Sequence, residues 1–247
     1  MRYFMKKSIL FSCLLISSAS AFASTDAHWG YSGEHGPDHW AKLSPDNFSC
    51  SASNQSPVNL TGFIEADLTP IKFNYKAGGN EIVNNGHTVQ INYQSGSSIN
   101  IDGREFDLLQ VHFHAPSENQ IDGKSYPLEA HLVHADKAGN LVVVAVMFEE
   151  KAENATLADA WQQMPEHAGD KYSLNKPFNI DGILPTNRDY YRFNGSLTTP
   201  PCSEGVRWLV LKESVAVSAK QVKAFSSALT GPNNRPVQAT NARLILK

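Results

Sequence analysis

The stretch Leu141–Phe148, "LVVVAVMF", is apolar at every position, so a strand built from it must be covered by protein on both faces. A strand of that kind belongs at the centre of a large sheet. Working back from it, Tyr126–Asp136 reads "YPLEAHLVHAD", with Glu129, His131 and Val133 on one parity and Leu128, Ala130 and Leu132 on the other. Leu109–Pro116, "LQVHFHAP", alternates in the same way, Leu109, Val111 and Phe113 against Gln110, His112 and His114. Val89, Ile91 and Tyr93 alternate with Gln90 and Asn92, Gly96-Ser97-Ser98 supplies turn chemistry, and Ile99 and Ile101 resume, which predicts a β-hairpin. Val206–Leu211 predicts a further strand. Helices are few. Thr156 with Asp159 ahead of Leu157, Trp161 and Met164, and Ser218 with Gln221 ahead of Val222, Phe225 and Leu229, carry the capping-box pattern of short surface helices. The expected fold is mainly β (α+β), a single domain over residues 24–247 on a large, mostly antiparallel central sheet with short peripheral helices.

The first 23 residues read differently. Arg2, Lys6 and Lys7 precede the apolar run Ile9–Ile16, and Ala21-Phe22-Ala23 offers a small-residue cleavage site, so residues 1–23 are expected to be a cleaved export signal. The run is shorter than the ~18 residues a spanning helix needs, so no membrane insertion is expected after cleavage. The remaining chain carries 18 basic against 24 acidic residues, a poor match to nucleic acid. Cys13 leaves with the signal, so Cys50 and Cys202 are the pair left for an oxidising compartment. A disulfide between them is expected, with two buried thiols as the alternative. The opening segment His28–Trp40, "HWGYSGEHGPDHW", lacks periodicity and predicts an irregular arm against the core.

Two histidines in an apolar strand ask for partners. Residues two apart on a strand share a face, so His112 and His114 project side by side. Pro116, Asp122-Gly123 and Pro127 supply the turns to bring the next strand back antiparallel, placing His131 across from them. Three imidazoles without an acidic fourth ligand make a zinc site with one position open, the catalytic pattern. Gln110 and Glu129 each lie two residues before a ligand on the same face, where they can accept from the imidazole nitrogen the metal leaves free. Hydrogen-bonded core histidines are the plainer alternative. His134 falls on the opposite face and reads as structural. His28, His35, His39 and His167 carry no spacing argument.

Several segments in order resemble the α-class carbonic anhydrases, in their secreted bacterial branch. They are "HWGYSGEHGPDHW" (28–40), "QSPVNL" (55–60), "NNGHTV" (84–89), "QVHFHAPSE" (110–118), "EAHLVH" (129–134) and "GSLTTPPC" (195–202). The resemblance spans essentially the whole chain after the signal. It implies reversible hydration of carbon dioxide to bicarbonate and a proton, by attack of hydroxide held on one Zn2+, with a weak esterase side activity. His112, His114 and His131 would be the metal ligands, Thr198 the gatekeeper between nucleophile and Glu118, and Thr199 a contact for bicarbonate or water. Val133, Val143, Leu197, Val206 and Trp208 would form the apolar wall for carbon dioxide. His87 would shuttle the proton through waters ordered by Tyr31, Asn85 and Gln90. The family pattern further implies cis bonds before Pro57 and Pro201. The export signal implies a periplasmic or secreted location, and the expected state is a monomer or homodimer. A ligand-binding domain without catalysis, a zinc esterase and a zinc store are the competing readings, against which stand the complete histidine set, the absence of a larger substrate pocket and the absence of repeated exposed histidines.

Overall fold

The computed structural model describes residues 28–247, and the expected export signal lies outside the described residues. Thirteen strands follow in order: β1 Asn59–Leu60, β2 Lys72–Asn74, β3 Gly79–Asn84, β4 Val89–Tyr93, β5 Ser98–Ile101, β6 Arg104–His114, β7 Gln120–Ile121, β8 Leu128–Ala135, β9 Leu141–Glu150, β10 Lys171–Phe178, β11 Tyr190–Ser196, β12 Glu204–Leu211 and β13 Val215–Val217. Three short helices, α1 Trp40–Leu43, α2 Ala155–Trp161 and α3 Ala219–Ser227, lie at the periphery. Eleven strands form one sheet with the spine β10-β3-β4-β6-β8-β9-β12-β11, while β1 and β7 pair separately. In the large sheet every pairing is antiparallel except those of β12 and β13 with β9. Among the described residues no helix is long and apolar enough to cross a membrane.

The apolar run Leu141–Phe148 of β9 is the hinge of the core. Val142, Val144, Val146 and Phe148 pack on one face with Leu132, Val111, Phe113 and Leu209. Val143, Ala145 and Met147 pack on the other with Val133, Val206, Trp208 and Val210. Fully burying each such side chain contributes about 1.5–3 kcal/mol, so neither face can be stripped without loss of the sheet. α2 and α3 close the first face through Leu157, Ala160 and Phe225. The second face is left for the histidines.

Three local expectations differ from the structure. β4 and β5 do not form a hairpin: both run antiparallel to β6, β4 along Gln110–His112 and β5 along Arg104–Asp107, so they lie end to end on one long partner. Alternation shows that a segment is a strand but not which strand it pairs with. Leu109 points out and is exposed, because a β-bulge between Leu108 and Gln110 inserts one residue and Leu108 takes the core position. Helix α2 is capped by Asn154, whose side chain accepts from Leu157 N at 3.0 Å, and not by Thr156. The capping box of Ser218 and Gln221 on α3 is present, and Gln221 also donates to Asn154 O at 2.7 Å, tying the two helices.

Cys50 and Cys202 are joined, closing a separation of 152 residues. Trp40 is buried beside them, with Trp29 and Tyr31 packed against the cluster, so the irregular arm is anchored where the 198–202 loop leaves β11. Replacing both cysteines by serine removes the long-loop constraint on the unfolded chain. We expect the variant to lose about 2–5 kcal/mol, read from the urea midpoint, with little change in far-ultraviolet circular dichroism.

Candidate metal centre

The register of β6 on β8 builds the site. His112 sits directly opposite His131, and His114 opposite Glu129. Both histidine-bearing strands lie in the middle of the sheet, so their backbones are held on two sides. The imidazole centroids are 5.0 Å apart for His112 and His114, 5.1 Å for His112 and His131, and 4.6 Å for His114 and His131. One nitrogen from each ring lies within 4.8 Å of the others.

The opposite nitrogen of every ring is engaged. Gln110 Oε1 is 2.9 Å from His112 Nδ1, and Glu129 Oε1 is 2.9 Å from His131 Nε2. The backbone carbonyl of Asn233 accepts from His114 Nδ1 at 2.7 Å. These bonds leave Nε2 of His112, Nε2 of His114 and Nδ1 of His131 free to meet at one point. His114 Nε2 is buried with no hydrogen-bond partner among the described residues, an orphan that a cation would satisfy. Burial, reinforced for His112 and His131 by the neighbouring imidazoles, holds all three rings below the ordinary histidine range, which keeps them neutral and able to ligate. Three neutral nitrogen donors with outer partners, and no fourth ligand grouped with them among the described residues, suit zinc with a position left open.

Around this centre Glu118 and Glu129 are fully buried. Glu129 receives the N–H groups of Glu118 at 2.7 Å and Asn119 at 2.9 Å, and the Asn119 amide at 2.8 Å. Glu118 Oε2 lies 3.5 Å from His114 Nε2. Burial raises the Glu118 carboxyl well above the usual carboxylate range, opposed by the N–H of Arg235 and the hydroxyl of Thr198. Arg235 donates that N–H at 2.8 Å and fans its guanidinium onto Gln55, Ser56 and Cys50. Val133, Val143, Val206 and Trp208 form one buried cluster with Leu197 against it, and the Trp208 ring stands edge-on to His131 at 4.8 Å. Thr198 is buried, while Thr199 is half-buried and accepts from Cys202 N at 2.8 Å.

Of the expected proton-path residues, His87 and Tyr31 line one cavity. His87 stacks on Trp29 at 3.7 Å with the planes 8° apart, and burial followed by His28 lowers its pKa. Asn85 uses its carbonyl oxygen to accept from the N–H groups of His87 and Thr88, both at 2.9 Å. Gln90 donates to Asn92 at 2.6 Å, and the buried hydroxyl of Tyr31 has no partner among the described residues. Bonds before Pro57 and Pro201 are cis, as is a third before Pro116 that the sequence reading did not anticipate. Asn233, Arg235, Asn119 and Trp29 were not singled out from the sequence. The first two sit in an aperiodic segment, and one of them acts through a backbone carbonyl that any residue could supply. His134 is structural: it lies 2.8 Å from the Tyr75 hydroxyl on the opposite face.

A large, mostly antiparallel sheet carries on one face three histidines whose free nitrogens converge, the donor set of a metal site. A family model for the eukaryotic-type carbonic anhydrases matches residues 35–247. The chain is 51% identical over 239 residues to a carbonic anhydrase of Pectobacterium atrosepticum, covering 96% of this chain and 98% of that one. It superposes on the α-carbonic anhydrase of Thermovibrio ammonificans, solved with the inhibitor sulfanilamide, at a TM-score of 0.88 and 47% identity, covering 90% and 99% of the two chains. A hyperthermostable carbonic anhydrase from a hydrothermal vent chimney matches at a TM-score of 0.87 and 50% identity, covering 89% and 99%. The chain belongs to the α-type carbonic anhydrase family.

Two outcomes follow from this geometry. Glu129→Gln keeps the shape but weakens the acceptor behind His131 and leaves two N–H groups facing an amide, so zinc affinity should fall about 10–100-fold in a chelator competition. The second concerns acid. His134 is held at about 3, below its unfolded value of 6.5, by burial. The unfolded chain therefore binds the extra proton first, and stability present above pH 6.5 is lost as the pH falls toward 3. In His134→Gln the urea midpoint of the metal-free protein should fall less steeply across that window.

Proposed function

We propose that the protein catalyses the reversible hydration of carbon dioxide to bicarbonate and a proton with zinc as its metal. The observation that carries the reading is the convergence of three neutral imidazole nitrogens, each backed by a partner on its far side. His112 and His114 through Nε2 and His131 through Nδ1 would hold the ion. When bound, zinc supplies the Lewis acidity that makes water a nucleophile near neutral pH.

The chain's own groups do the rest. Thr198 accepts a hydrogen bond from the nucleophile and donates its proton to Glu118, which a hydroxyl can do at once because it has one donor and two acceptor sites. That pair orients a lone pair toward the carbon of the substrate. Carbon dioxide is small, apolar and uncharged, so it is received by Val133, Val143, Leu197, Val206 and Trp208 and not by an ionic clamp. Thr199 contacts the bicarbonate that forms. His87 carries the released proton outward, its imidazole being able to take up and release a proton near neutrality, through waters ordered by Tyr31, Asn85 and Gln90. Residues 1–23 direct the chain out of the cytoplasm, in keeping with a disulfide that oxidising compartments sustain.

Stopped-flow carbon dioxide hydration on the zinc-loaded protein tests the reading. Activity should vanish on complete chelation and return with one equivalent of zinc. Sulfanilamide, held by the Thermovibrio ammonificans relative, should inhibit; full hydration activity in the stripped protein would refute the reading. His87→Ala should lower turnover in weak buffer, with imidazole restoring part of it, and an unchanged rate would remove His87 from the mechanism.

A further inference from the structure

Asn233 is buried in the aperiodic segment that follows α3, and each polar group of its side chain is committed. Oδ1 accepts from Ala115 N at 2.9 Å. Nδ2 donates to Phe113 O at 2.9 Å and to His87 O at 3.1 Å. The residues on either side of His114 are therefore gripped by one carboxamide, whose remaining N–H reaches the backbone of His87. The backbone carbonyl of the same residue accepts from His114 itself.

The His87 turn is tied elsewhere as well. Asn85 accepts the His87 N–H from the turn's own side, and Thr88 Oγ1 donates to Phe113 O at 2.6 Å. Thr88 fixes the turn to β6 one residue further on. Asn233 is the side chain that bonds both the carbonyl of His87 and the strand positions flanking a metal ligand. A donor pair is needed there, since two carbonyl oxygens face the same nitrogen, and of the uncharged side chains an amide supplies both N–H groups from one atom.

We propose that the Asn233 side chain is a positioning residue for proton export, fixing the backbone of His87 at a set distance from the His114-bearing strand so that only the imidazole moves. The inference rests on the reading of His87 as the proton carrier. It concerns the side chain, whereas the bond to His114 Nδ1 is made by the Asn233 backbone carbonyl, which every replacement keeps.

Asn233→Ala and Asn233→Asp, made in the full chain and compared with His87→Ala, test it. Misplacing an acting group by about an ångström costs up to about a hundredfold in rate, and a partial shift should lower maximal turnover in weak buffer about tenfold. kcat/KM for hydration should fall less than kcat, imidazole should recover part of the loss, and one zinc per chain should remain. The His87 ring protons, shifted by the Trp29 ring current, should move in the nuclear magnetic resonance spectrum. Parallel losses of kcat and kcat/KM without imidazole rescue, unchanged kcat, or unmoved His87 signals would overturn the proposal. Asn233→Asp keeps volume and acceptor if the alanine variant fails to fold. Should His87→Ala itself turn over at the wild-type rate, the shuttle reading fails, and the ring signals still report whether Asn233 sets the place of His87.

Discussion

The pairing of β6 with β8 is the constraint on which everything else hangs. A strand has a side-chain period of two, so a slip of one residue would send His131 to the opposite face, among Ala130 and Leu132. The register that sets His112 across from His131 is held by the apolar halves of the same strands, Val111 and Phe113 on β6 and Leu132 and Ala130 on β8, buried together in the first core. The bulge at Leu109 completes the arrangement, because it switches parity just before the histidines begin. One face of the pair makes the core, and the other is thereby compelled to carry the chemistry.

A second layer turns three nearby rings into a directed donor set. Each imidazole has two nitrogens and only one can face a cation. Gln110, Glu129 and the Asn233 carbonyl settle which one it is. Glu129 is fixed by Asn119 and the Glu118 N–H, and Glu118 by Arg235, whose guanidinium reaches back to the segment that begins at the disulfide. Outer groups of this kind orient ligands and raise their basicity. The chain from Cys50 through Arg235 to Glu118 links the disulfide to the centre through buried hydrogen bonds.

Much of this was legible in the sequence because it follows from period-two alternation. The double burial of Leu141–Phe148, the shared face of His112 and His114, and the return of His131 all rest on which side of a pleat a residue occupies. The partners two residues upstream, Gln110 and Glu129, were legible for the same reason. Pairing was not: β4 and β5 each read correctly as strands, yet their common partner β6 lies beyond any local pattern. Asn154 as the cap of α2 was obscured by a better-looking Thr156. Asn233 and Arg235 were hidden because their side chains meet partners brought near only by the whole fold, and because the Asn233 carbonyl that holds His114 leaves no mark in the identity of its residue.

The most direct test of the central claim is X-ray absorption at the zinc edge on the purified, zinc-loaded protein. Three imidazole nitrogens at about 2.0–2.1 Å with one further light-atom ligand is the expected first shell. A shell filled by four protein ligands, or one with fewer than three imidazoles, would contradict it.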